Sequence, residues 1–297
     1  MSAVVQTAFS PAGDPAQHLL HVPYTCAAGV QYVSTASTSL TLRQPFRATV
    51  ADGETGAIDQ RAVTALLDHA CGVAVYLTLP QAAPTATLDL RVAFPQMAAA
   101  GEDVVCIALV EYVDDGMAVV SASVRGARSG RLVASGNGCF IVGAHPGQGP
   151  GKTLADPWHS TSPAIAAAAE ADAAHYASFE EFLGVNRPVG QPGGMVEIPF
   201  QPHLVGAVSL PALHGGVSAA ALATAAQQCM VVAGAPAASI ARLASISIQY
   251  QRAGQAKTLV ARARIEKRGG RTSNLSVSAT QDDGARIVAT AQCVFLT

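Results

Sequence analysis

The chain has 297 residues, of which 50% are apolar and 13% are charged, a composition that allows a large buried core and excludes a disordered protein. Its length suits two domains of ordinary size or one large domain. The formal net charge of −2 provides no electrostatic basis for binding nucleic acid or an anionic membrane, so we expect neither as a partner.

The six cysteines are scattered along the chain and form no CxxC pair, which excludes the usual ligand spacing of a metal site. Several lie inside apolar runs, where a free cysteine acts as a small hydrophobic residue, so we expect reduced thiols. The first basic residue is Arg43, whereas a secretory signal needs positive charge ahead of its apolar stretch. These features predict a cytoplasmic protein without a metal site.

Three blocks of the sequence occur twice in the same order, at an offset of about 155 residues. They pair residues 62–77 with 217–232, 87–95 with 243–251, and 131–142 with 286–297. An ordered set of matches indicates an internal duplication. We predict a first unit at 14–145, a Pro- and Gly-rich linker at 146–174, and a second unit at 175–297.

The predicted elements of the first unit are a strand within 32–50, an apolar helix at 62–77 and strands at 86–94, 103–112, 117–125 and 131–141. A helix at 162–183 leads into the second unit, which continues with a strand at 195–200, a helix at 217–232 and strands at 243–251, 257–267, 272–280 and 285–296. Each unit is therefore of the α+β class, with one helix against an antiparallel sheet. Because the helix is apolar all round, we expect the sheet to curl around it.

The stretch from Ile198 to Ala241 contains no Asp, Glu, Lys or Arg, which raises the question of a membrane span. Prolines, glycines and a pair of glutamines interrupt it, and it is richer in alanine than in leucine. We therefore predict a buried helix in this stretch and no membrane span.

Asp68 is the one carboxylate within the apolar helix of the first unit. A buried carboxylate is costly unless it is paired, hydrogen-bonded or functional, and desolvation would raise its pKa and make it a better base or nucleophile. The alternative is a structural cap or ion pair. We place the neighbouring His69 on another face of the helix, since adjacent residues do not share one.

The second unit begins its apolar helix with His214, Gly215 and Gly216, which we name the HGG turn. Glycines let another group approach the backbone closely, and the first N–H groups of a helix have no helical partner and lie at the positive end of its dipole. The turn can therefore polarise a carbonyl group. The alternative is an ordinary turn with a satisfied histidine.

Superposing the two helices places the HGG turn on Asp59, Gln60 and Arg61, and places Asp68 on Ala223. The first helix thus has the carboxylate without the turn, and the second has the turn without the carboxylate. Nine residues of one helix rise by about 13 Å, so both groups can reach one carbonyl only if two helices pack antiparallel. We predict one composite site between the units and a degenerate second site.

The segments "LHGGV", "LLDHACGVA", "TLDLRVAFP" and "RLVASGNGCF" together resemble the hot-dog acyl-CoA thioesterases of the phenylacetate-degradation type. The resemblance covers 50–145 and 178–297, and "ASFEEFLGV" resembles the lead-in helix of that family. It implies two tandem hot-dog domains, each a sheet wrapped around a central helix, fused in one chain as a pseudo-dimer. It also implies active sites between the domains and further assembly into a homo-oligomer.

The resemblance implies roles for individual residues. The HGG turn would polarise the thioester carbonyl, and Asp68 would attack it or activate water. Thr87 stands where relatives often have a Ser or Thr that positions the carboxylate or the water, and its counterpart in the second unit is Leu243. Val208 stands where relatives often have an amide, which puts the efficiency of catalysis in doubt. No cofactor is implied apart from the CoA portion of the substrate.

CoA carries phosphates, which favour Arg or Lys, and the densest basic run is 262–271. Arg268 and Arg271 are our candidates for phosphate contacts, although such a run also suits a solvated hairpin tip. Three functions stay open: hydrolysis of acyl-CoA thioesters, another hot-dog reaction such as hydration of an enoyl-CoA, and non-catalytic binding of acyl-CoA. For a single working site, we expect Asp59→Ala to change activity little.

Overall fold

The computed structural model of the protein describes residues 22–79, 83, 85–143, 175–188, 194–207, 212–234 and 242–297. Its α-helices are α1 (Pro23–Ala28), α2 (Gln60–Thr78), α3 (Phe179–Leu183) and α4 (Gly215–Val232). The strands of the first unit are β1 (Gln31–Thr35), β2 (Ser39–Gln44), β3 (Thr85–Ala93), β4 (Val104–Val113), β5 (Met117–Gly126) and β6 (Leu132–Val142). Those of the second are β7 (Met195–Ile198), β8 (Val205–Ala207), β9 (Ala212–Leu213), β10 (Arg242–Tyr250), β11 (Leu259–Arg268), β12 (Thr272–Gln281) and β13 (Arg286–Leu296).

Eleven of these strands form one antiparallel sheet in the order β1-β2-β4-β5-β6-β3-β10-β13-β12-β11-β7. The two units meet where β3 pairs with β10, with Val92 opposite Ile246 and Leu90 opposite Ile248. Outward from this junction, the order β3-β6-β5-β4-β2 matches β10-β13-β12-β11-β7, with β1 as an additional edge strand of the first unit, so the halves are related by a pseudo-twofold axis. The structure confirms the α+β class and the arrangement of two sheet-and-helix units side by side.

Helices α2 and α4 occupy the inside of the curved sheet. Sixteen of the 19 residues of α2 are buried, which explains why its sequence is apolar on every face. Among the described residues, α4 is the one helix long and apolar enough to cross a membrane, and 72% of it is buried inside the protein. This burial agrees with the prediction of a core helix.

Two sequence predictions of secondary structure are wrong in detail. The strand expected within 32–50 is a hairpin of β1 and β2 that ends at Gln44, because Pro45 lacks the N–H that a longer strand would need. Of the helix expected at 162–183, residues 162–174 lie outside the described residues, and within the described part α3 begins at Phe179. Ser178 caps α3 by accepting a hydrogen bond from Glu181 N, and Glu181 accepts one from Ala177 N, so a capping box fixes the start.

The two central helices run antiparallel and touch at the start of α4. Gly216 packs so closely on α2 that an added β-carbon would lie 2.6 Å from Ala65 Cα. At the other end of the contact, Arg61 of α2 reaches Thr224 of α4. The start of each helix therefore lies against the middle of the other.

We expect Gly216→Ala to lower the free energy of unfolding by about 1–3 kcal/mol, because the new methyl group must push the helices apart. Gly72→Ala in α2 is the matched control, since a β-carbon there lies 3.6 Å from Phe140 in ordinary contact. Gly72→Ala should raise the free energy of unfolding by about 0.5–1 kcal/mol, because alanine lowers the backbone entropy of the unfolded chain. Urea unfolding measures both, and equal effects would contradict the close helix contact.

Candidate functional site

Asp68 of α2 lies directly beside the HGG turn at the start of α4. A β-carbon on Gly215 would be 2.5 Å from Asp68 Oδ2, so only glycine leaves room for the carboxylate. Thr87 Oγ1 of β3 donates a hydrogen bond of 2.9 Å to Asp68 Oδ1. The structure thus brings together Asp68, Gly215 and Thr87, three of the five residues that the sequence analysis assigned to one composite site.

Burial controls the protonation of Asp68. The residue is only 5% exposed, and desolvation raises the pKa of its carboxyl group to about 6. The hydrogen bond from Thr87 favours the ionised form and limits this rise. A carboxylate with a pKa near 6 is largely ionised at neutral pH and is also a stronger base than an exposed aspartate.

His214 caps the helix that it precedes. Its Nδ1 accepts a 2.9 Å hydrogen bond from Gly216 N, so the Gly216 N–H group is already engaged. Gly215 N–H has no hydrogen-bond partner among the described residues. The backbone donor beside Asp68 is therefore that of Gly215, at the positive end of the α4 dipole.

The members of the HGG turn consequently have different tasks. Gly215 presents a free donor next to the carboxylate, and Gly216 allows the helices to approach each other. His214 orients the turn through its imidazole ring. The sequence analysis treated the turn as one polarising group. In the structure, its three residues make different contacts.

His69 contacts the HGG turn, and the prediction that it lies away from the site is wrong. Its Nδ1 lies 3.3 Å from His214 Nε2. Ala65 of α2 packs on Gly216, and positions three and four residues later, Asp68 and His69, both border the same contact face. That spacing was the signal in the sequence that could have identified His69.

Two tyrosines complete the surroundings of the turn. Tyr24 of α1 stacks on His214, with ring centroids 4.4 Å apart. Tyr250 Oη of β10 donates a hydrogen bond of 3.3 Å to Gly215 O. Sequence reasoning missed both. Tyr24 lies outside the repeated blocks, and Tyr250 lies inside the block at 243–251 without marking a site, so only the tertiary fold brings them to α4.

The histidines near Asp68 are held neutral. Burial lowers the pKa of His69 to about 4, and burial together with the neighbouring His69 lowers the pKa of His214 well below its usual value. Neither imidazole therefore offers Asp68 a positive charge at neutral pH, which is consistent with the raised pKa of the carboxyl group.

The pseudo-symmetric position has a different set of side chains. Asp59 caps α2 by accepting a 2.8 Å hydrogen bond from Arg61 N, and the Arg61 guanidinium group forms an ion pair of 2.5 Å with the same carboxylate. Arg61 Nη1 also donates to Thr224 Oγ1 at 3.0 Å. Ala223 stands where Asp68 stands in the first half. The Asp59–Arg61 ion pair therefore lies at the position that corresponds to Asp68 and the free Gly215 N–H in the candidate site.

The candidate phosphate-binding residues lie away from the HGG turn. Arg268 Nη1 donates to Ala233 O just beyond the end of α4, and Arg271 lies at the adjoining hairpin. An 18-residue helix is about 27 Å long, so this end is remote from Gly215. The contact of these arginines with CoA phosphates stays a prediction. The division of the chain into domains also stays a prediction. Val208, the position where relatives often have an amide, lies outside the described residues.

Residues 206–296 match the family of the acyl-CoA thioesterase N-terminal domain. The match covers the HGG turn, α4 and all the strands of the second unit that follow them. Together with the fold, it supports a thioester hydrolase, as the sequence analysis expected. A comparison with curated proteins finds no significant match.

Several solved structures share the fold over nearly the whole chain. A protein of Novosphingobium aromaticivorans assigned as a thioesterase has 15% identity and a TM-score of 0.62, covering 89% of this chain and 97% of its own. The tesB protein of Mycobacterium avium subs paratuberculosis has 12% identity and a TM-score of 0.56, covering 95% and 98%. The 12:0-ACP thioesterase of Umbellularia californica has 9% identity and a TM-score of 0.56, covering 87% and 94%. At these identities the likeness establishes a shared hot-dog architecture with two units.

We expect Asp59→Ala to destabilise the protein by about 3 kcal/mol, because it removes the buried carboxylate that pairs closely with the Arg61 guanidinium and leaves only the more exposed Glu180, 3.6 Å from Arg61 Nη1. The double variant Asp59→Asn/Arg61→Met should lower the free energy of unfolding far less, since asparagine still caps α2 and neither member of the ion pair is left as a buried charge. Thermal or urea unfolding of the two variants tests this order. Because Asp59→Ala breaks a buried ion pair, the double variant is the better control for activity, and the expectation that Asp59→Ala changes activity little stays a prediction.

Proposed function

We propose that the protein hydrolyses acyl-CoA thioesters to a free acid and CoA at the site between Asp68 and the HGG turn. The observation that carries this proposal is the position of a buried carboxylate of one unit directly beside the first residue of a helix of the other unit, whose N–H has no partner among the described residues. A thioester needs both groups: a donor for the oxygen that becomes negative and a base or nucleophile for the carbonyl carbon. The family match over the second unit supports the same substrate class.

In the proposed reaction, the thioester carbonyl oxygen accepts a hydrogen bond from Gly215 N–H. Asp68 takes a proton from a water molecule whose oxygen attacks the carbonyl carbon. The tetrahedral intermediate expels the CoA thiolate as the carbon–sulfur bond breaks, and the proton on Asp68 passes to that sulfur. The products are the free acid and the CoA thiol, and the carboxylate is regenerated.

Asp68 could instead attack the carbonyl carbon itself and form a mixed anhydride, which water then hydrolyses. Both routes use the same two groups and give the same products. A single turnover in water labelled with ¹⁸O separates them, because only the covalent route places the label in the Asp68 side chain.

The assignment to the phenylacetate-degradation type is also part of the proposal. It rests on the motif around Asp68 and on the HGG turn, each of which occurs once in this chain. The pseudo-symmetric place contains the Asp59–Arg61 pair, so we propose one working site per chain. The reaction uses no cofactor beyond the CoA portion of the substrate.

Asp68→Asn should lower kcat/KM for acyl-CoA hydrolysis by about 100- to 10,000-fold, because the amide can neither accept the proton nor attack. Release of the CoA thiol from a panel of acyl-CoA esters measures the loss. The control is Asp59→Asn/Arg61→Met, which should keep the activity of the unaltered chain. Equal losses in both variants would refute the single-site assignment, and tight binding of acyl-CoA by the unaltered chain without thiol release would indicate a binding module.

The activity should decline on the acidic side with a midpoint near pH 6, since Asp68 must be ionised to react and its pKa is about 6. Thr87→Val removes a hydrogen bond that favours the ionised form, so the pKa should rise and the acidic limb should move to higher pH. Profiles of kcat/KM against pH measure the shift. Thr78→Val near the end of α2 is the matched control and should leave the limb in place.

A further inference from the structure

A chain of hydrogen bonds fixes the proton positions of the two histidines at the site. Gly216 N–H donates to His214 Nδ1, so that nitrogen carries no proton. Neutral His214 then has its proton on Nε2, which faces His69 Nδ1 at 3.3 Å and donates to it. Neutral His69 must therefore carry its own proton on Nε2.

The last donor of this chain has no acceptor. His69 Nε2 is buried and has no hydrogen-bond partner among the described residues. An unsatisfied buried donor costs about 1–3 kcal/mol, so native proteins rarely keep one without a use. Three other buried polar atoms of the described residues also lack a partner, namely Thr49 Oγ1, Ser273 Oγ and Arg286 Nε. Of the four, His69 Nε2 is the one whose side chain contacts the HGG turn beside Asp68, where a ligand could supply the acceptor.

The equivalent position in the other half has no such free group. Thr224 of α4 is the counterpart of His69, and its hydroxyl donates to Ala220 O at 2.7 Å and accepts from Arg61 at 3.0 Å. Of the two pseudo-symmetric helix contacts, the unsatisfied imidazole donor therefore lies at the one where Asp68 of the first unit meets the free Gly215 N–H of the second. This coincidence connects the donor with the ligand of the site rather than with the packing of the helices.

We propose that His69 is a further substrate-binding residue whose Nε2–H donates a hydrogen bond to a carbonyl oxygen of the bound acyl-CoA. The inference rests on the proposed function and adds a residue to it. The ligand has to supply an acceptor, because His69 presents a proton at this nitrogen, and both the acyl group and the pantetheine arm of an acyl-CoA contain carbonyl oxygens. The His214–His69 bond holds the imidazole in the tautomer that this contact needs.

Two variants separate the proposed contact from a purely structural role. His69→Asn keeps an acceptor close to the position of Nδ1 for His214 but loses the donor at Nε2. His69→Gln places an amide nitrogen close to Nε2 but loses the acceptor for His214. The measurement is the Kd of a non-hydrolysable acyl-CoA analogue in which a methylene group replaces the thioester sulfur, with thermal unfolding as a check of the fold.

We expect His69→Asn to weaken binding of the analogue about tenfold, as for the loss of one buried hydrogen bond, and His69→Gln to bind within about threefold of the unaltered chain. The proposal would be overturned if His69→Gln weakened binding of the analogue more than His69→Asn, if both variants weakened it equally, or if neither did. A thioether analogue without the acyl carbonyl then assigns the acceptor. It should be insensitive to His69→Asn if the contact is to the acyl carbonyl, and it should be weakened if the contact is to a pantetheine amide.

The same binding data distinguish this inference from the proposed reaction. If the unaltered chain binds the methylene analogue but releases no thiol from acyl-CoA esters, the hydrolytic function fails and the comparison of the two variants still decides the role of His69. If the unaltered chain does not bind the analogue, the inference about His69 fails.

Discussion

The close antiparallel contact of α2 and α4 is the constraint on which the rest of the structure depends. Gly216 has no side chain, and this allows the start of α4 to lie directly on Ala65. The contact brings the N-terminal N–H groups of one helix to the middle of the other, where a carboxylate can meet them. The curved sheet encloses both helices, so the meeting point is buried and its hydrogen bonds and pKa values depend on a few neighbours.

The pseudo-twofold axis places two copies of this meeting point in one chain. Different side chains cap the helix N-terminus in the two copies. In one copy, His214 caps the helix with a neutral ring and leaves a donor free beside Asp68. In the other, Asp59 caps the helix with a carboxylate and Arg61 neutralises it. An aromatic ring lies close to both places: Tyr24 stacks on the cap His214, and the Phe179 ring centroid lies 5.9 Å from Arg61 Cζ. The duplication thus kept the architecture at both places while the chemistry diverged.

Much of this could be predicted from the sequence, because duplication leaves a signal that needs no tertiary information. The strand and helix positions follow from the repeated apolar pattern, and the pairing of Asp68 with the HGG turn follows from comparing the two halves. The sequence analysis placed His69 on another face of the helix because adjacent residues do not share one. The face of α2 that contacts α4 is wide enough to include both Asp68 and His69, and the sequence does not show that width. The contributions of Tyr24 and Tyr250 depend on how α1 and β10 pass the start of α4, and a linear pattern contains no record of that.

The pairing of β3 with β10 also has a consequence for how the chain is made. The ribosome completes β3, with Leu90 and Val92 on its buried face, long before β10 exists to cover its edge. An uncovered strand edge is a template for pairing with other chains. Tyr24 likewise lacks its stacking partner His214 until the second unit has been synthesised. The nascent first half is therefore an incomplete sheet whose β3 edge stays open until β10 has been synthesised.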